Sequence, residues 1–375
     1  MPKERAPTEW ANLPSWMRYD RFFGLDIHKL YVTVVAINHE REVVRQVRKV
    51  PTAEWPQWAA KNLTQRDAAV LESTTNAWCI YDQTVEHVGR CVVAHPDRKR
   101  RVKTDLQDAK SWAERLLVND IKEVWVPPQH IRDLRSLISY RSRQISERVR
   151  LKNRLHSLLI RHQIIPPEGS LFAAKNRAWW QDLDLGVIEG LRIQQDFASL
   201  DLVEQQLQEL DKKLAGFSQQ DPWKEEFPYL MQLPGVGLVV GMTLLGAIGD
   251  ISRFDSPQQL VGYSGLGASV EQSGDKHRNG GITKTGRKDL RFVLVEAARV
   301  AVRQPGRWKK LYERLAPRIG NNKAVVAVAR KMLVAIWHLL TNKEVDRFAN
   351  PDMIAAKFMK LAWQLNKEQR CLAAQ

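Results

Sequence analysis

The feature that most limits what this chain can become is a series of short apolar runs in its first hundred residues. Arg21-Phe22-Phe23-Gly24-Leu25-Asp26-Ile27-His28 is apolar with a lone acid near its end. Tyr31 to Ile37, rich in β-branched residues, and Val43 to Val50 follow, joined by the polar turn Asn38-His39-Glu40-Arg41. Their composition is that of strands. Ala68-Ala69-Val70-Leu71-Glu72 is a continuous apolar run with a polar tip, and Cys91-Val92-Val93-Ala94 is another before Pro96, as expected of buried strands. Trp55 to Leu63 and Asn76 to Val88 have helical patterns, the second stopped by Gly89. The order β-β-β-α-β-α-β-α predicts an α/β layer, in which ligands gather at strand ends. Two of those ends carry acids, Asp26 and Glu72.

A third helix is announced by Thr104 followed by Gln107, the spacing of a capping box, with Asp105 as first helical residue. Asp105 and Asp108 are i and i+3, so they share a face near the positive end of the helix dipole, which favours their ionised forms. Acids in a first helical turn commonly do no more than compensate that dipole. Here, however, two carboxylates directed at one point match the oxygen donors a hard divalent cation takes. The basic run Arg98-Lys99-Arg100-Arg101-Val102-Lys103 stands directly before them. Over the whole chain 58 Lys and Arg against 42 Asp and Glu leave a net charge of +16. Such an excess concentrates polyanions at the surface and suits a nucleic-acid partner. Cys79, Cys91 and Cys371 are far apart and odd in number, which argues against a disulfide framework or a zinc knuckle. No membrane span and no secretory signal are expected, so the expected location is cytoplasmic.

Gln129 to Gln163 contains no Pro or Gly and spaces its apolar residues as a helix does, with arginines between them. Ser199 to Phe217 repeats Leu200, Val203, Leu207, Leu210 and Leu214 at alternating steps of three and four, the seam of a coiled coil. The pair predicts an antiparallel coiled-coil arm able to dimerise, with arginines available to phosphates. Residues 164 to 198, including Trp179-Trp180, are a connector without an assignment. Farther on, Leu233-Pro234-Gly235-Val236-Gly237 precedes an apolar helical run to Ile248, as in a helix-hairpin-helix element. There the backbone N–H groups of a turn meet a phosphate, which makes Gly235 and Gly237 candidates for nucleic-acid contact. Asp255-Ser256-Pro257 caps the next helix, with Pro in its first position. From Gly262 to Lys288 small residues, hydroxyls and cations dominate, and the segment reads as a loop that holds a phosphate or is flexible. Lys276, Arg278, Lys284, Arg287 and Lys288 are its candidate phosphate contacts. Lys288 to Val302 and Asn322 to Leu340 are helices, and the tail from Asp352 to Gln375 reads as helical.

Gly24-Leu25-Asp26-Ile27-His28-Lys29, Leu71-Glu72-Ser73-Thr74 and Lys103-Thr104-Asp105 with Asp108-Ala109 are similar to motifs of the DEDD transposases of the insertion-sequence 110 family. The segment from Leu233 to Ala301 resembles the C-terminal transposase domain of the same family. The resemblance implies an α/β plus α chain: a ribonuclease-H/RuvC-like domain, a helical coiled-coil arm, and a mainly helical C-terminal transposase domain. The expected divisions are a flexible arm at 1–18, the RuvC-like domain at 19–127, the arm and connector at 128–222, the serine domain at 223–345 and a helical tail at 346–375. The implied tetrad is Asp26, Glu72, Asp105 and Asp108, holding Mg²⁺, up to two ions. The implied nucleophile is Ser273, with Ser269 and Ser264 as alternatives, because family members show Ser-Ser-Gly where this chain has Gln272-Ser273-Gly274. The implied partners are element and target DNA, a bridge RNA and further copies of the chain, dimer or tetramer, in a bacterial nucleoid setting. A junction-resolving nuclease using water, and a non-catalytic nucleic-acid scaffold, are the competing readings.

Overall fold

A computed structural model describes residues 18–96, 104–273 and 276–365, without the side chains of 270–279. The basic run Arg98, Lys99, Arg100, Arg101 and Lys103, most of the N-terminal arm, and residues 366–375 of the tail lie outside the described residues. The chain divides into two units, Met1–Pro127 and Pro128–Gln375.

In the first unit the strands are β1 Arg21–Ile27, β2 Tyr31–Ile37 and β3 Val43–Pro51. Helix α1 Trp55–Asn62, strand β4 Asp67–Glu72, helix α2 Ala77–Val85, strand β5 Arg90–Ala94 and helix α3 Asp105–Leu117 complete it. Every expected element is present in the expected order, because each apolar run is bounded by a turn signal. The mixed sheet runs β3-β2-β1-β4-β5. β1 is antiparallel to β2 and parallel to β4, and β4 is parallel to β5. Alternation then sorts the side chains by face. Phe23, Leu25, Val34, Ala69 and Leu71 pack under α1 and α2 with Trp55, Ala59 and Ile80. Phe22, Val35, Ala68, Val70 and Val92 pack under α3 with Ala109, Trp112, Ala113 and Leu116. With both faces covered, β1, β2, β4 and β5 are apolar along their middles rather than alternating, whereas β3 at the sheet edge is mostly exposed and carries Arg45, Arg48 and Lys49. At the edge away from α3's first turn, Arg21 Nε donates to Asp67 Oδ1 over 2.8 Å and Arg21 Nη2 to Asp67 Oδ2 over 2.7 Å, tying β1 to β4.

In the second unit α4 spans Gln129–Arg161, α5 Arg177–Gln181 and α6 Gly186–Phe217. Their cross-pairs are Arg161 with Glu189, Arg154 with Asp196, Lys152 with Glu204 and Arg141 with Asp211. One number falls as the other rises, so α4 and α6 run antiparallel. α6 begins at Gly186 and not at Ser199. Its seam continues N-terminally through Phe197 and Ile193, which bury with Leu155 and Leu159. Gly186 and Gly190 disguise that first stretch, since glycine weakens a helix unless packing compensates. The unassigned connector folds back onto the arm. Trp180 is buried there, its indole N–H donating to the Leu171 carbonyl over 3.1 Å.

The remaining elements are α7 Trp223–Met231, α8 Leu238–Ile248, α9 Pro257–Ser264, β6 Ala268–Ser273 and β7 Lys276–Ile282. Helices α10 Lys288–Ala301, α11 Arg307–Ile319, α12 Asn321–Asn342 and α13 Pro351–Gln364 follow. Ser256 caps α9, accepting from the Gln259 N–H, with Pro257 in the first position as expected. The segment expected to be a loop is in large part a hairpin, β6 antiparallel to β7 with Ser273 opposite Lys276. Its signal in the sequence was the dipeptide Gly274-Asp275, of a kind that favours hairpins. By length and composition alone α12 is apolar enough to cross a membrane, a test that a buried core helix also passes. Its apolar side, Ala324, Val328, Met332, Leu333 and Ile336, is fully buried, and the helix packs against α9, α10 and α11 as a core element.

Candidate active site

The site in the first unit depends on a glycine. Phe22, Gly24 and Asp26 lie on the α3 side of β1, two residues apart each time. Gly24 has no side chain, and α3 fills the space: a Cβ there would stand 1.8 Å from the Ala109 carbonyl oxygen and 2.8 Å from the Ala113 nitrogen. Backbone thus lies on backbone, one residue beyond Asp108 and two before Asp26. The first turn of α3 is set by Thr104, whose Oγ1 accepts from the Gln107 N–H over 3.3 Å while its carbonyl accepts from the Asp108 N–H over 2.9 Å. The capping residue expected from sequence is the one observed, with Asp105 and Asp108 in the first turn.

β1 and β4 run in parallel with Leu25 opposite Leu71, so Asp26 and Glu72 follow side by side at their carboxyl ends. Glu72 shares the face of Val70 and Ala68, which is also the α3 side. All four expected acids therefore lie on one side of the sheet. The tightest grouping nevertheless includes a residue that sequence reasoning did not assign. Among the described residues, Asp26, His28 and Asp105 are the group whose metal-ligating atoms all lie within 4.8 Å of one another. His28 Nε2 is 3.0 Å from Asp26 Oδ2 and 3.3 Å from Asp105 Oδ2. The Tyr31 hydroxyl donates to Asp105 Oδ2 over 3.2 Å. Glu72 and Asp108 are not in that group. His28 was legible: it stands two residues after Asp26, the spacing that keeps side chains on one face. Tyr31 had no such signal, since its approach comes from the turn into β2.

The electrostatics follow from this crowding. Burial pushes the Asp26 carboxyl above the usual aspartate range, His28 pulls it back, and the charges of Asp105 and Asp108 push it up again. The charge of Asp108 therefore acts on Asp26 although the two are not in the tight group. Mutual repulsion of this kind is relieved by a bound cation. The donors present, carboxylate oxygens with one imidazole, fit a divalent metal ion.

The candidates of the second unit are placed as follows. Ser273 ends β6 and Lys276 begins β7, with Arg278 beyond it; their side chains lie outside the described residues. Ser264 is fully buried, its hydroxyl donating to the Val261 carbonyl over 2.7 Å and accepting from the Leu266 N–H over 3.2 Å. Both bonds serve to end α9. Ser269 donates to the Gly281 carbonyl across the hairpin over 3.1 Å. Gly235 has φ +77°, and a Cβ would lie 2.2 Å from the Ala297 carbonyl oxygen, so close packing against α10 already requires glycine there. Gly237 caps α8 and has open space where a side chain would be. Lys284 and Lys288 are exposed, whereas Arg287 is half-buried and paired with Asp289. Two further arginines close the other end of α8: Arg135 Nε donates to the Gly246 carbonyl over 2.7 Å, and Arg253 Nη1 to the Ile248 carbonyl over 2.7 Å. Burial, together with the like charges of Arg287 and Arg253, pushes Arg135 down to about 10.

With this geometry in hand, two family models match the chain in order. A transposase model of the DEDD, IS110 type matches residues 23–164, and one described as "Transposase IS116/IS110/IS902 family" matches residues 228–313. Together they span more than half of the chain. The chain is 25% identical over 362 residues to "Putative transposase y4qE" of Sinorhizobium fredii, covering 94% of this chain and 90% of that one. It is 26% identical over 259 residues to "Transposase for insertion sequence element IS1111A" of Coxiella burnetii, covering 65% and 68%. A shorter likeness, 31% over 122 residues and 32% and 38% of the two chains, is to "Pilin gene-inverting protein" of Moraxella bovis.

Proposed function

Since the chain belongs to the IS110/IS116 family of DEDD transposases, we propose that it excises and inserts a mobile DNA element by metal-assisted phosphoryl transfer with Ser273 as nucleophile. The observation that carries the reading is the meeting of Asp26 and Asp105 below the seat of α3, with Glu72 and Asp108 on the same side of the sheet. The first unit then acts as the ribonuclease-H/RuvC-like half. Asp26, Glu72, Asp105 and Asp108 would hold Mg²⁺, with room in the donor set for two ions. Cations bound there would neutralise charge developing on the attacked phosphate and on the leaving oxygen.

The chain's own residues carry the remaining steps. Thr104 and Gly24 fix where the α3 carboxylates stand. Ser273 Oγ gives up its proton and attacks a phosphodiester; the phosphorus–oxygen bond to the leaving strand breaks and that strand's 3′-oxygen takes up a proton. The resulting seryl phosphodiester is later resolved by a strand 3′-OH, which restores the serine hydroxyl. A serine needs such activation because its hydroxyl is a weak nucleophile. The basic run from Arg98 to Lys103, Gly235 and Gly237 of the turn before α8, and Lys276, Arg278, Lys284, Arg287 and Lys288 are assigned to nucleic-acid backbone. Guidance by an element-encoded bridge RNA, and assembly as a dimer or tetramer through the α4/α6 arm with one copy's tetrad beside another's serine, complete the reading. Its support is the family resemblance and the chain's net charge of +16.

The experiment is a denaturing-gel search for a covalent protein–DNA adduct, using the full chain with its co-expressed element RNA, cognate DNA and Mg²⁺. The adduct is expected in the wild type and lost both in Ser273→Ala and with EDTA. Cleavage without an adduct, unchanged in Ser273→Ala, would make water the nucleophile and the chain a junction-type nuclease.

A further inference from the structure

We propose that His28 is a nitrogen ligand of the divalent cation in this site and that it tilts the site toward Mn²⁺ over Mg²⁺. The inference rests on the metal reading above and adds a donor that the four acids do not supply. Nε2 lies 3.0 Å from Asp26 Oδ2 and 3.3 Å from Asp105 Oδ2. Neighbouring donors around a six-coordinate ion with bonds of about 2.1 Å stand about 3 Å apart, from octahedral geometry alone. The imidazole nitrogen already stands at about that spacing from each of the two carboxylate oxygens, and all three donors lie within 4.8 Å of one another. A cation entering between the carboxylates therefore meets the ring as a donor without displacing it.

The ring is held where it stands from several directions. Asp26 and His28 are two apart at the end of β1, so both side chains emerge on the α3 side. The His28 N–H donates to the Tyr31 carbonyl over 2.9 Å, and its carbonyl accepts from Asn76 Nδ2 over 3.0 Å. The His28 and Tyr31 rings pack with centroids 4.5 Å apart. Tyr31 also donates to Asp105, the same carboxylate oxygen that His28 approaches. Tyr31 is thus a positioning residue that holds one oxygen donor against the nitrogen donor.

Nitrogen in the donor set has a chemical consequence. Mg²⁺ favours oxygen and parts with its waters reluctantly. Imidazole suits later divalent ions, and at a given nitrogen- and oxygen-containing site affinity rises along the first row from Mn²⁺. A purely carboxylate site has this bias more weakly. His28 accordingly separates the two ions, while the acids bind either.

The test uses Mn²⁺ alone, loaded into the full-length protein without nucleic acid. Electron spin-echo envelope modulation of the wild-type complex is expected to show ¹⁴N coupling from a directly bound imidazole, and His28→Ala to lose it. In equilibrium titrations His28→Ala is expected to weaken Mn²⁺ about tenfold or more, the scale on which metal-site groups act, and Mg²⁺ by less than about threefold. Absence of ¹⁴N coupling in the wild-type spectrum overturns the proposal, and so does an unchanged Mn²⁺/Mg²⁺ preference in His28→Ala. The wild-type spectrum decides the matter even if the variant fails to fold. Asp26→Asn separates the two levels: wild-type Mn²⁺ affinity in that variant would overturn the metal reading of the whole site rather than the part given to His28.

Discussion

Gly24→Ala is the smallest change that tests how this site is assembled. The new methyl carbon would stand 1.8 Å from the Ala109 carbonyl oxygen, where real Cβ contacts essentially never fall below 3.0 Å, so β1 and α3 must part by at least about 1.2 Å. Neither partner has an easy escape. β1 is the central strand of five, paired on both sides, and the obstruction is backbone rather than the end of a flexible side chain. The displacement falls on α3, one residue from Asp108, and carries Asp105 away from Asp26 and His28. Overpacking of this kind costs about 1–3 kcal/mol of stability. A misplacement of about 1 Å at reacting groups costs on the order of a hundredfold in rate. The expected result is a folded protein, by circular dichroism, with a lowered melting temperature and Mg²⁺-dependent strand cleavage of cognate DNA reduced about a hundredfold. Gly190→Ala is the control, since nothing lies within 4 Å of the position its Cβ would take. Cleavage by Gly24→Ala within about threefold of wild type, with the fold retained, would refute the argument that backbone contact at Gly24 sets the carboxylates.

Two other perturbations probe different links. Asp26 is raised by burial and by Asp105 and Asp108, so the folded protein holds its proton to higher pH than the unfolded chain does. The contribution of this group to metal-free stability therefore falls as pH rises from about 3.9 through the raised value, and is unfavourable at neutral pH. Asp26→Asn should raise the metal-free melting temperature at pH 7 while abolishing the further rise produced by Mn²⁺; a lowered metal-free melting temperature would contradict the sign. Trp180→Ala removes a fully buried indole and its hydrogen bond to Leu171, an expected loss of about 3–5 kcal/mol read as an earlier urea transition. Since α3 and the sheet belong to the other unit, Mn²⁺ binding should survive that change.

Much of the architecture was legible because it is written locally. The five strands and three helices of the first unit are bounded by Gly, Pro and polar turns, and the cap at Thr104 was readable from three residues of spacing. The long helices of the arm were readable wherever apolar residues keep helical period. Legibility failed where a distant partner decides. Gly186 and Gly190 argue against helix on their own, and α6 runs through them because Ile193 and Phe197 find Trp180 and Leu155 across the arm. Residues 307–319, which form α11, were legible by contrast, since Trp308, Leu311, Leu315 and Ile319 keep helical spacing. The hairpin of β6 and β7 was within reach through Gly274-Asp275 but was hidden by a composition typical of loops. Ser264 looked as available as its neighbours until its hydroxyl proved to close α9.

By itself the sequence determined the acids, their order, the strand ends and helical turn that bear them, and an excess of positive charge toward polyanions. These depend on interactions between residues a few positions apart, which a linear pattern records. Only the tertiary structure decided which groups meet. Asp26 and Asp105 come together with His28 because α3 rests directly on Gly24, and Glu72 follows beside Asp26 because β1 and β4 align in parallel register. That contact joins chain segments some eighty residues apart, and its strength comes from backbone surfaces fitting, a property no spacing of residue types encodes.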